Sequence, residues 1–224
     1  MTSLEALHAA ELTPAQLRQT MVASQLRTVG VTDAGVLAAM AAVPREDYVA
    51  PALAGLAYAD AALEVAPGRW LLEPMVLALL LQNARVTAAD RVLLVGAATG
   101  YSAAVLAHVG ARVTALECDA ALIAQATAAG IACVSGPLAD GWAGAAPYDL
   151  VLFEGAIEIV TPAIAAQLAP GGRVAAIVRD GGGHGVGRGY AGPLLADRRI
   201  GGLAFLEVPG RLLPGFARPK DFAF

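Results

Sequence analysis

The 224-residue sequence predicts an α/β fold with a doubly wound, mostly parallel sheet. Three observations support this class: the first third has helix-start signals, short apolar runs alternate with helical segments from residue 91 onward, and two strand-like segments follow residue 181. Strands separated by helices imply right-handed crossovers and parallel pairing. The last two segments have no helix between them, so they would form an antiparallel C-terminal hairpin at the sheet edge.

The region before residue 85 is predicted to be an N-terminal helical extension. A Thr-Pro pair at residues 13–14 supplies a capping hydroxyl and a proline at the first helical position. A Thr-Asp pair at 32–33 opens a second helix, which the segment VPRE at 43–46 ends. Pro74 opens a third, strongly apolar helix over residues 75–81.

Apolar runs after residue 91 are the predicted strands of the sheet. The expected strands are 92–95, 113–116, a short one near Cys133, 149–153 and 174–178; the helices between them are 102–108, 120–129 and 162–168; the hairpin segments are 190–195 and 203–208. Runs without polar residues, such as VLLV at 92–95, are typical of parallel strands buried on both faces. We therefore expect two regions, 1–84 and 85–224, with the sheet in the second.

The composition is strongly apolar, with 57% hydrophobic and 15% charged residues and a mean hydropathy of +0.61. Even so, the longest uncharged stretch, 92–111, is broken by glycines and polar residues, and no basic segment followed by an apolar run opens the sequence. A net charge of −4 and scattered arginines argue against nucleic-acid binding. We expect a cytoplasmic protein without membrane or nucleic-acid partners, whose two cysteines are buried thiols.

A glycine-containing turn, GAATGY at residues 96–101, follows the first predicted strand of the sheet. Gly96 would permit the tight turn, and Gly100 would let the loop pack closely against the next helix. About 20 residues downstream, Glu117 ends the second strand, where a carboxylate can accept hydrogen bonds from both hydroxyls of a ribose. The turn and the acid together favour nucleoside binding over a purely structural turn.

The spacing of this turn separates the possible nucleoside ligands. The sequence GxxxxGK[ST] of phosphate-binding NTPases is absent from the turn, and so is the GxGxxG that lays a pyrophosphate on a helix N-terminus. The turn is GxxxG, which favours the methyl donor S-adenosylmethionine over a dinucleotide.

Segments along residues 21–178 also resemble one known family, the protein-L-isoaspartate O-methyltransferases. The shared segments are 43–49 (VPREDYV), 57–60 (AYAD), 68–74, 96–107, 146–149 (APYD) and 167–173. Two further segments, LLEPM at 71–75 and LPGF at 213–216, are similar to a divergent proteobacterial branch. The resemblance implies a Rossmann-like class I methyltransferase fold, S-adenosylmethionine as donor, and methylation of the free carboxylate of isoaspartyl residues in damaged proteins.

The sequence departs from the family pattern at four site positions. The family's TISQP segment, whose serine serves the substrate carboxylate, corresponds to WLLEP at 70–74, so the serine position is Leu72, and Glu73 follows it. The acidic position of the first strand is Leu94, and the middle glycine of the turn is Ala98. The aspartate that binds adenine corresponds to Pro137.

These departures predict weaker donor binding. A lost adenine hydrogen bond costs about 1 kcal/mol, and a side chain at position 98 in a left-handed conformation costs about 1–2 kcal/mol. Donor affinity would fall by roughly 10- to 100-fold. The acceptor side is affected more, because an apolar group replaces a specific carboxylate contact.

Candidate site residues follow from these patterns. The residues expected to bind the donor are Gly96, Ala97, Ala98, Gly100, Tyr101, Glu117, Pro137 and Leu138, and those expected at the reaction site are Arg69, Leu72 and Glu73. Arg69 is the candidate to hold the acceptor anion, against a solvated surface arginine. Trp70 either covers the methyl end of the donor or belongs to the core. Tyr101 either contacts the methionine part of the donor or packs in the first helical turn.

No metal site is expected. His184 lies in a glycine-rich loop at 181–189 without partner ligands, so a flexible connection is the better interpretation. Three phenylalanines near the C-terminus, Phe216, Phe222 and Phe224, are expected to pack back onto the domain, because exposed together they would form a sticky end.

Three functions remain open from the sequence. The first is an isoaspartyl methyltransferase acting on a protein or peptide carboxylate. The second is a methyltransferase for another carboxylate or hydroxyl acceptor, including a small molecule, on the same scaffold. The third is a non-catalytic relative that uses the fold for binding. The intact VPRE and AYAD segments favour the first two, and the four altered positions favour the last two. The sequence leaves the oligomeric state undetermined.

Overall fold

The structure, a computed structural model, describes residues 12–179 and 185–219. The helices are α1 (Pro14–Met21), α2 (Ala34–Ala42), α3 (Pro74–Asn83), α4 (Tyr101–Val109), α5 (Ala120–Ala128) and α6 (Pro162–Ala165). The strands are β1 (Leu63–Ala66), β2 (Arg69–Leu71), β3 (Arg91–Val95), β4 (Arg112–Glu117), β5 (Cys133–Ser135), β6 (Tyr148–Ile157), β7 (Leu168–Arg179), β8 (Val186–Pro193) and β9 (Leu206–Pro209).

Side-chain caps start several of these helices where the sequence predicts them. Thr13 caps α1 in a capping box with Gln16, Asp33 caps α2, and Asp119 caps α5. Helix α3 also begins with a proline, whose missing N–H leaves one unpaired donor fewer in the first turn, and its N-cap residue, Glu73, makes no side-chain cap hydrogen bond. The local signals therefore place the helix starts correctly.

The main sheet has seven strands in the order β5-β4-β3-β6-β7-β8-β9. The pairs from β5 to β7 are parallel, and β8 and β9 add antiparallel strands at one edge, which confirms the predicted class. The chain runs outward from β3 through β4 to β5 and then returns to β6 on the other side of β3. This reversal makes the carboxyl ends of β3 and β6 a topological switch point, where ligands bind in open α/β sheets.

Alternate residues of the central strands enter two separate cores. Val92 and Leu94 of β3 face a cluster that includes α1 to α4, whereas Leu93 and Val95 face a second cluster with α6. Burial on both faces explains the unbroken apolar runs. Because the N-terminal helices share the first cluster with the sheet, both predicted regions contribute to one core.

The fold differs from the sequence prediction in three places. Strands β1 and β2 form a small antiparallel hairpin before α3, in a region predicted to be helical. Helix α6 covers Pro162–Ala165 instead of 162–168, because β7 begins at Leu168. Strand β8 begins at Val186, four residues before the predicted segment 190–195. Its glycines, such as Gly187 and Gly189, have no side chains, so neighbouring segments of the chain pack closely against the strand.

Among the described residues, no helix combines the length and the apolar character that a membrane span requires. Cys118 is exposed and Cys133 is partly buried, so the expectation of two buried thiols is wrong for Cys118. Phe216 is fully buried, as predicted, whereas Phe222, Phe224 and His184 lie outside the described residues.

Candidate active site

The glycine turn connects β3 to α4 at the carboxyl edge of the sheet. The backbone is left-handed at Gly96 (φ 78°), Ala98 (φ 52°) and Gly100 (φ 97°). Ala98 therefore has the strained conformation for which the cost of about 1–2 kcal/mol applies. The N–H groups of Gly96 and Ala97 both donate to the Leu116 carbonyl, at 2.9 and 3.0 Å. A Cβ on Gly100 would approach Ile131 to 2.9 Å, which explains the need for glycine there.

Glu117 lies at the end of β4 beside this turn and is fully buried. One carboxylate oxygen accepts from the backbone N–H groups of Cys118 (2.7 Å) and Asp119 (3.0 Å), and the other accepts from the N–H of Ala98 (2.8 Å). Burial alone would raise the pKa of Glu117, but the hydrogen bonds and charge of Arg69, together with the backbone donors, keep the pKa below its ordinary value. Glu117 is therefore a buried anion held by the turn.

Arg69 forms a buried ion pair with this carboxylate. Its two terminal nitrogens donate to the two oxygens of Glu117, each at 2.6 Å, and 5% of the side chain is exposed. This pairing corrects both expectations for Arg69: the guanidinium is not a solvated surface group, and its terminal nitrogens face Glu117 instead of being free for an acceptor anion. Strand β2, which the sequence prediction missed, places Arg69 there.

Leu213 fills the switch point between β3 and β6. A Cβ built on Gly155 of β6 would lie 2.7 Å from the Leu213 Cγ, and one built on Gly96 would lie 3.1 Å from its Cδ2. The Leu213 N–H donates to the Ala156 carbonyl at 2.8 Å. The segment LPGF at 213–216, which is similar in sequence to a divergent branch of the family, thus lies at the candidate site.

The reaction-site positions make main-chain contacts and ion pairs. Leu72 is buried; its N–H donates to Glu154 Oε1 (3.2 Å) and its carbonyl accepts from Arg45 Nη2 (2.7 Å). Glu73 is paired with Arg211 Nη1 at 3.1 Å, so its charge is balanced and the expected repulsion of an acceptor carboxylate is reduced.

Glu154 is a site residue that the sequence analysis missed. It lies in β6 next to Gly155, is almost completely buried, and its Oε2 has no hydrogen-bond partner among the described residues. Burial raises its pKa, and the Ser102 hydroxyl, the Leu72 N–H and the charges of Arg45 and Arg69 offset this only in part. The apolar run before Glu154, at 150–153, ends in an acid at the carboxyl edge, which was the available signal.

The two aromatic candidates make packing contacts. Tyr101 is fully buried: its ring lies under the Arg45 guanidinium (4.7 Å to the centroid) and edge-on to Tyr48, and its hydroxyl contacts Met40 Sδ at 3.5 Å. Its burial fits packing within the core rather than a ligand contact. Trp70 is partly buried beneath the Arg211 guanidinium, 4.4 Å from its ring centroid.

The last two donor-site candidates lie near Glu117. Pro137 is exposed and Leu138 is buried, at the start of a 3-10 turn after β5. The preceding Gly136 donates its N–H to the Glu117 carbonyl at 3.1 Å. The structure therefore brings together the turn, Glu117 and the 137–138 segment at one edge of the sheet, with Arg69 and Leu213 between them.

Comparisons with known proteins identify the family of this chain. The family model for protein-L-isoaspartate(D-aspartate) O-methyltransferase matches residues 17–184. A protein-L-isoaspartate O-methyltransferase from Methylorubrum extorquens (strain PA1) is 44% identical over 177 residues, which cover 76% of this chain and 77% of the relative. Its counterpart from Methylorubrum populi is 40% identical over 75% of this chain and 82% of the relative.

Two solved structures share the fold. One is a protein-L-isoaspartate O-methyltransferase at 23% identity, with a TM-score of 0.67, aligned over 78% of this chain and 59% of the solved one. The other, a β-aspartate methyltransferase from Plasmodium falciparum solved with S-adenosyl-L-homocysteine, is 15% identical, with a TM-score of 0.64 over 78% of this chain and 88% of the solved one. At these identities the structures support the fold, and the sequence matches support the family. The chain belongs to the protein-L-isoaspartate(D-aspartate) O-methyltransferase family.

Proposed function

We propose that this protein transfers the methyl group of S-adenosylmethionine to the free carboxylate of L-isoaspartyl residues in proteins or peptides. Family membership supports the reaction. The observation that carries the donor assignment is Glu117, a buried anion at the end of β4 beside the glycine turn. A carboxylate at this position can bind the two hydroxyls of a ribose.

The residues at the switch point fit such a donor in chemistry. Gly96 and Gly155 leave the ends of β3 and β6 without side chains, so that a ligand can approach the backbone. Glu117 would hold the ribose, and Leu138 offers an apolar contact for adenine. Pro137 has no side-chain oxygen to accept a hydrogen bond from the adenine amino group, which supports the predicted weak binding.

Bound donor supplies an electrophilic methyl group on a sulfonium. One acceptor carboxylate oxygen forms a bond to the methyl carbon, the sulfur–methyl bond breaks with its electron pair going to sulfur, and the products are a methyl ester and S-adenosylhomocysteine. The acceptor is ionised at neutral pH, so no proton is transferred and no general base is required. The chain's contribution is alignment of the acceptor and exclusion of water.

The ion pairs on the acceptor side can balance an incoming carboxylate. Glu73 is neutralised by Arg211, whose guanidinium also lies over Trp70. Arg45, from the VPRE segment, is buried, and two of its nitrogens have no hydrogen-bond partner among the described residues. These two arginines replace Arg69 as our candidates for attracting the acceptor.

The test uses two measurements on the purified full chain. Calorimetric titration with S-adenosylhomocysteine measures the donor site, and methanol released after methylation of an isoaspartyl peptide measures the reaction. A peptide of the same sequence with normal aspartate is the control. We expect heat of binding, and methanol from the isoaspartyl peptide alone. Absence of binding by the unaltered chain and by its Leu213→Ala variant, in which the side chain that fills the switch point is shortened, would overturn the proposal.

A second candidate function is methylation of a different acceptor on the same scaffold. The observation that favours it is Leu72, whose buried side chain stands where the family's serine serves the carboxylate, while Glu154 bonds to the Leu72 backbone. Binding of S-adenosylhomocysteine without methanol from the isoaspartyl peptide would favour this function over the first.

We also propose a cytoplasmic protein whose partner is a damaged polypeptide. The net charge of −4 supports the absence of a nucleic-acid partner, since phosphate binding requires a basic surface. A filter-binding assay with random-sequence DNA at low salt should show no retention; retention that falls steeply with salt would contradict this.

A further inference from the structure

The C-terminal segment 211–216 occupies the crevice that the sheet topology marks as the ligand site. Leu213 is 3% exposed, and its side chain occupies the space that a side chain at Gly96 or at Gly155 would fill. These two glycines lie at the ends of β3 and β6, on the two sides of the switch point. The leucine therefore lies where the ligand of an open α/β sheet is expected.

Backbone hydrogen bonds attach this segment to the end of β6. Ala156 donates its N–H to the Arg211 carbonyl and accepts from the Leu213 N–H, both at 2.8 Å, and Glu158 donates to the Phe216 carbonyl at 2.9 Å. The Phe216 ring is fully buried, edge-on to Phe153 with 5.1 Å between centroids. The segment is thus a bound element of the fold at this edge.

Arg69 closes the same site from the other side. Two of its nitrogens and three backbone N–H groups donate to Glu117, which makes five donors for a carboxylate with about four lone-pair positions. No acceptor position remains for the two hydroxyls of a ribose. Because Arg69 Nη2 also lies 3.1 Å from a Cβ built on Gly96, Arg69 and Leu213 meet over the same glycine.

We propose that residues 211–216 form a gate that closes the donor site: Leu213 lies against Arg69 over Gly96 and keeps the guanidinium on Glu117, so that S-adenosylmethionine binds only after Leu213 has moved and has left Arg69 free to turn away. The inference rests on the proposed function, because it requires this crevice to be the donor site. The measured affinity is the intrinsic affinity multiplied by the fraction of molecules in the open state. Any partner or acceptor that draws Arg69 or the segment away would raise donor affinity.

Shortening the gate tests this directly. Leu213→Ala removes the side chain from the crevice while keeping the backbone hydrogen bonds, and Leu203→Ala, at a leucine that is 91% exposed, is the matched control. With the closed state at about 90% or more in the wild type, calorimetry should show S-adenosylhomocysteine binding to Leu213→Ala about tenfold more tightly or better. The control should bind as the wild type does.

Hydrogen exchange of the wild-type chain provides a second readout that needs no variant. Saturating S-adenosylhomocysteine should speed exchange at the amides of Leu213 and Glu158, because both donate to the gate contacts. A segment that forms a fixed wall of the donor site would become more protected instead.

The outcomes separate the gate from the function. Equal or weaker binding by Leu213→Ala, or increased protection of these amides, overturns the gate and leaves the proposed function standing. No binding by either the wild type or Leu213→Ala overturns both, because opening the crevice would then reveal no donor site. Tighter binding with faster exchange supports both.

Discussion

Two buried carboxylates flank β3 at the carboxyl edge of the sheet, and their surroundings differ sharply. Glu117 ends β4 on one side and receives five hydrogen bonds, two of them from Arg69. Glu154 lies in β6 on the other side and receives one backbone hydrogen bond at Oε1, whereas Oε2 has none among the described residues. The pKa of Glu117 is lowered and that of Glu154 is raised.

This difference shows that burial does not determine the charge of a carboxyl group. Both side chains are almost completely removed from solvent, so desolvation acts on both. The partners decide the outcome: a guanidinium and a turn of N–H groups hold Glu117 as an anion, while Glu154 has no comparable set of donors. The first can anchor a ligand with hydroxyl groups, whereas the pKa of the second is raised by its burial.

The largest expected effect is the difference in stability between two variants that each lack one of these carboxylates. Glu117→Gln leaves the buried Arg69 without an anion, so we expect the free energy of unfolding at pH 7 to fall by about 3–5 kcal/mol. Glu154→Gln keeps an oxygen for the Leu72 N–H, and we expect a loss of about 1 kcal/mol or less. Urea denaturation of both variants measures the two values.

Equal losses from the two variants would contradict the comparison. They would mean that the Arg69 pair contributes no more than a single hydrogen bond, and that the difference in partners has no energetic consequence. Glu207→Gln, at an exposed acid on β9, serves as the surface reference and should change the unfolding free energy little.

The two carboxylates should also give stability opposite dependences on pH. The pKa of Glu117 is lower in the folded state, so its contribution is present above the unfolded value of about 4.3 and is lost as the pH falls through the folded value. The pKa of Glu154 is higher in the folded state, so its contribution is present below about 4.3 and is lost as the pH rises through the folded value.

Denaturation across a pH series measures these slopes. Glu117→Gln should lose less stability than the wild type on acidification below about pH 4. Glu154→Gln should lose less as the pH rises above about 5. If both variants reduce the loss of unfolding free energy over the same pH range, acidic or neutral, the two carboxylates do not differ as described.

The sequence predicted the sheet well because its signals are local. The run 92–95 is apolar on both faces, its counterparts 113–116 and 149–153 are mostly apolar, and helices separate the three, so the strands and their parallel pairing follow from period and spacing. Strands β1 and β2 were missed because they are four and three residues long and stabilise each other through pairing. Short strands of this kind carry too little pattern to be recognised.

The candidate site was predicted in part for a similar reason. Glu117 and the glycine turn are linked by strand order, which the sequence supplies. The two side chains that fill the site are not linked to it in this way, because Arg69, the partner of Glu117, is 48 residues away along the chain, and Leu213, which lies over Gly96, is 96 residues beyond Glu117. Which distant side chain enters a crevice depends on tertiary packing, and no local rule in the sequence predicts it.

The smallest predicted effect concerns the turn that holds Glu117. Ala98 donates its N–H to that carboxylate from a left-handed conformation (φ 52°), which costs a residue with a Cβ about 1–2 kcal/mol. Ala98→Gly removes this strain, and the extra freedom of glycine in the unfolded chain offsets about 0.5–1 kcal/mol of the gain. We expect urea denaturation to show an increase of about 0.5–1 kcal/mol in unfolding free energy.

Ala97→Gly is the matched control, because Ala97 is equally buried and its φ is not positive. This neighbour has no strain to release, so glycine should destabilise the protein by about 0.5–1 kcal/mol. Stabilisation by Ala98→Gly together with destabilisation by Ala97→Gly would show that the backbone at Ala98 is strained in the conformation that directs its N–H at Glu117. Among the described residues, no such turn donates to the Oε2 of Glu154. If Ala97→Gly and Ala98→Gly both destabilise the protein, this part of the contrast between the two carboxylates is removed.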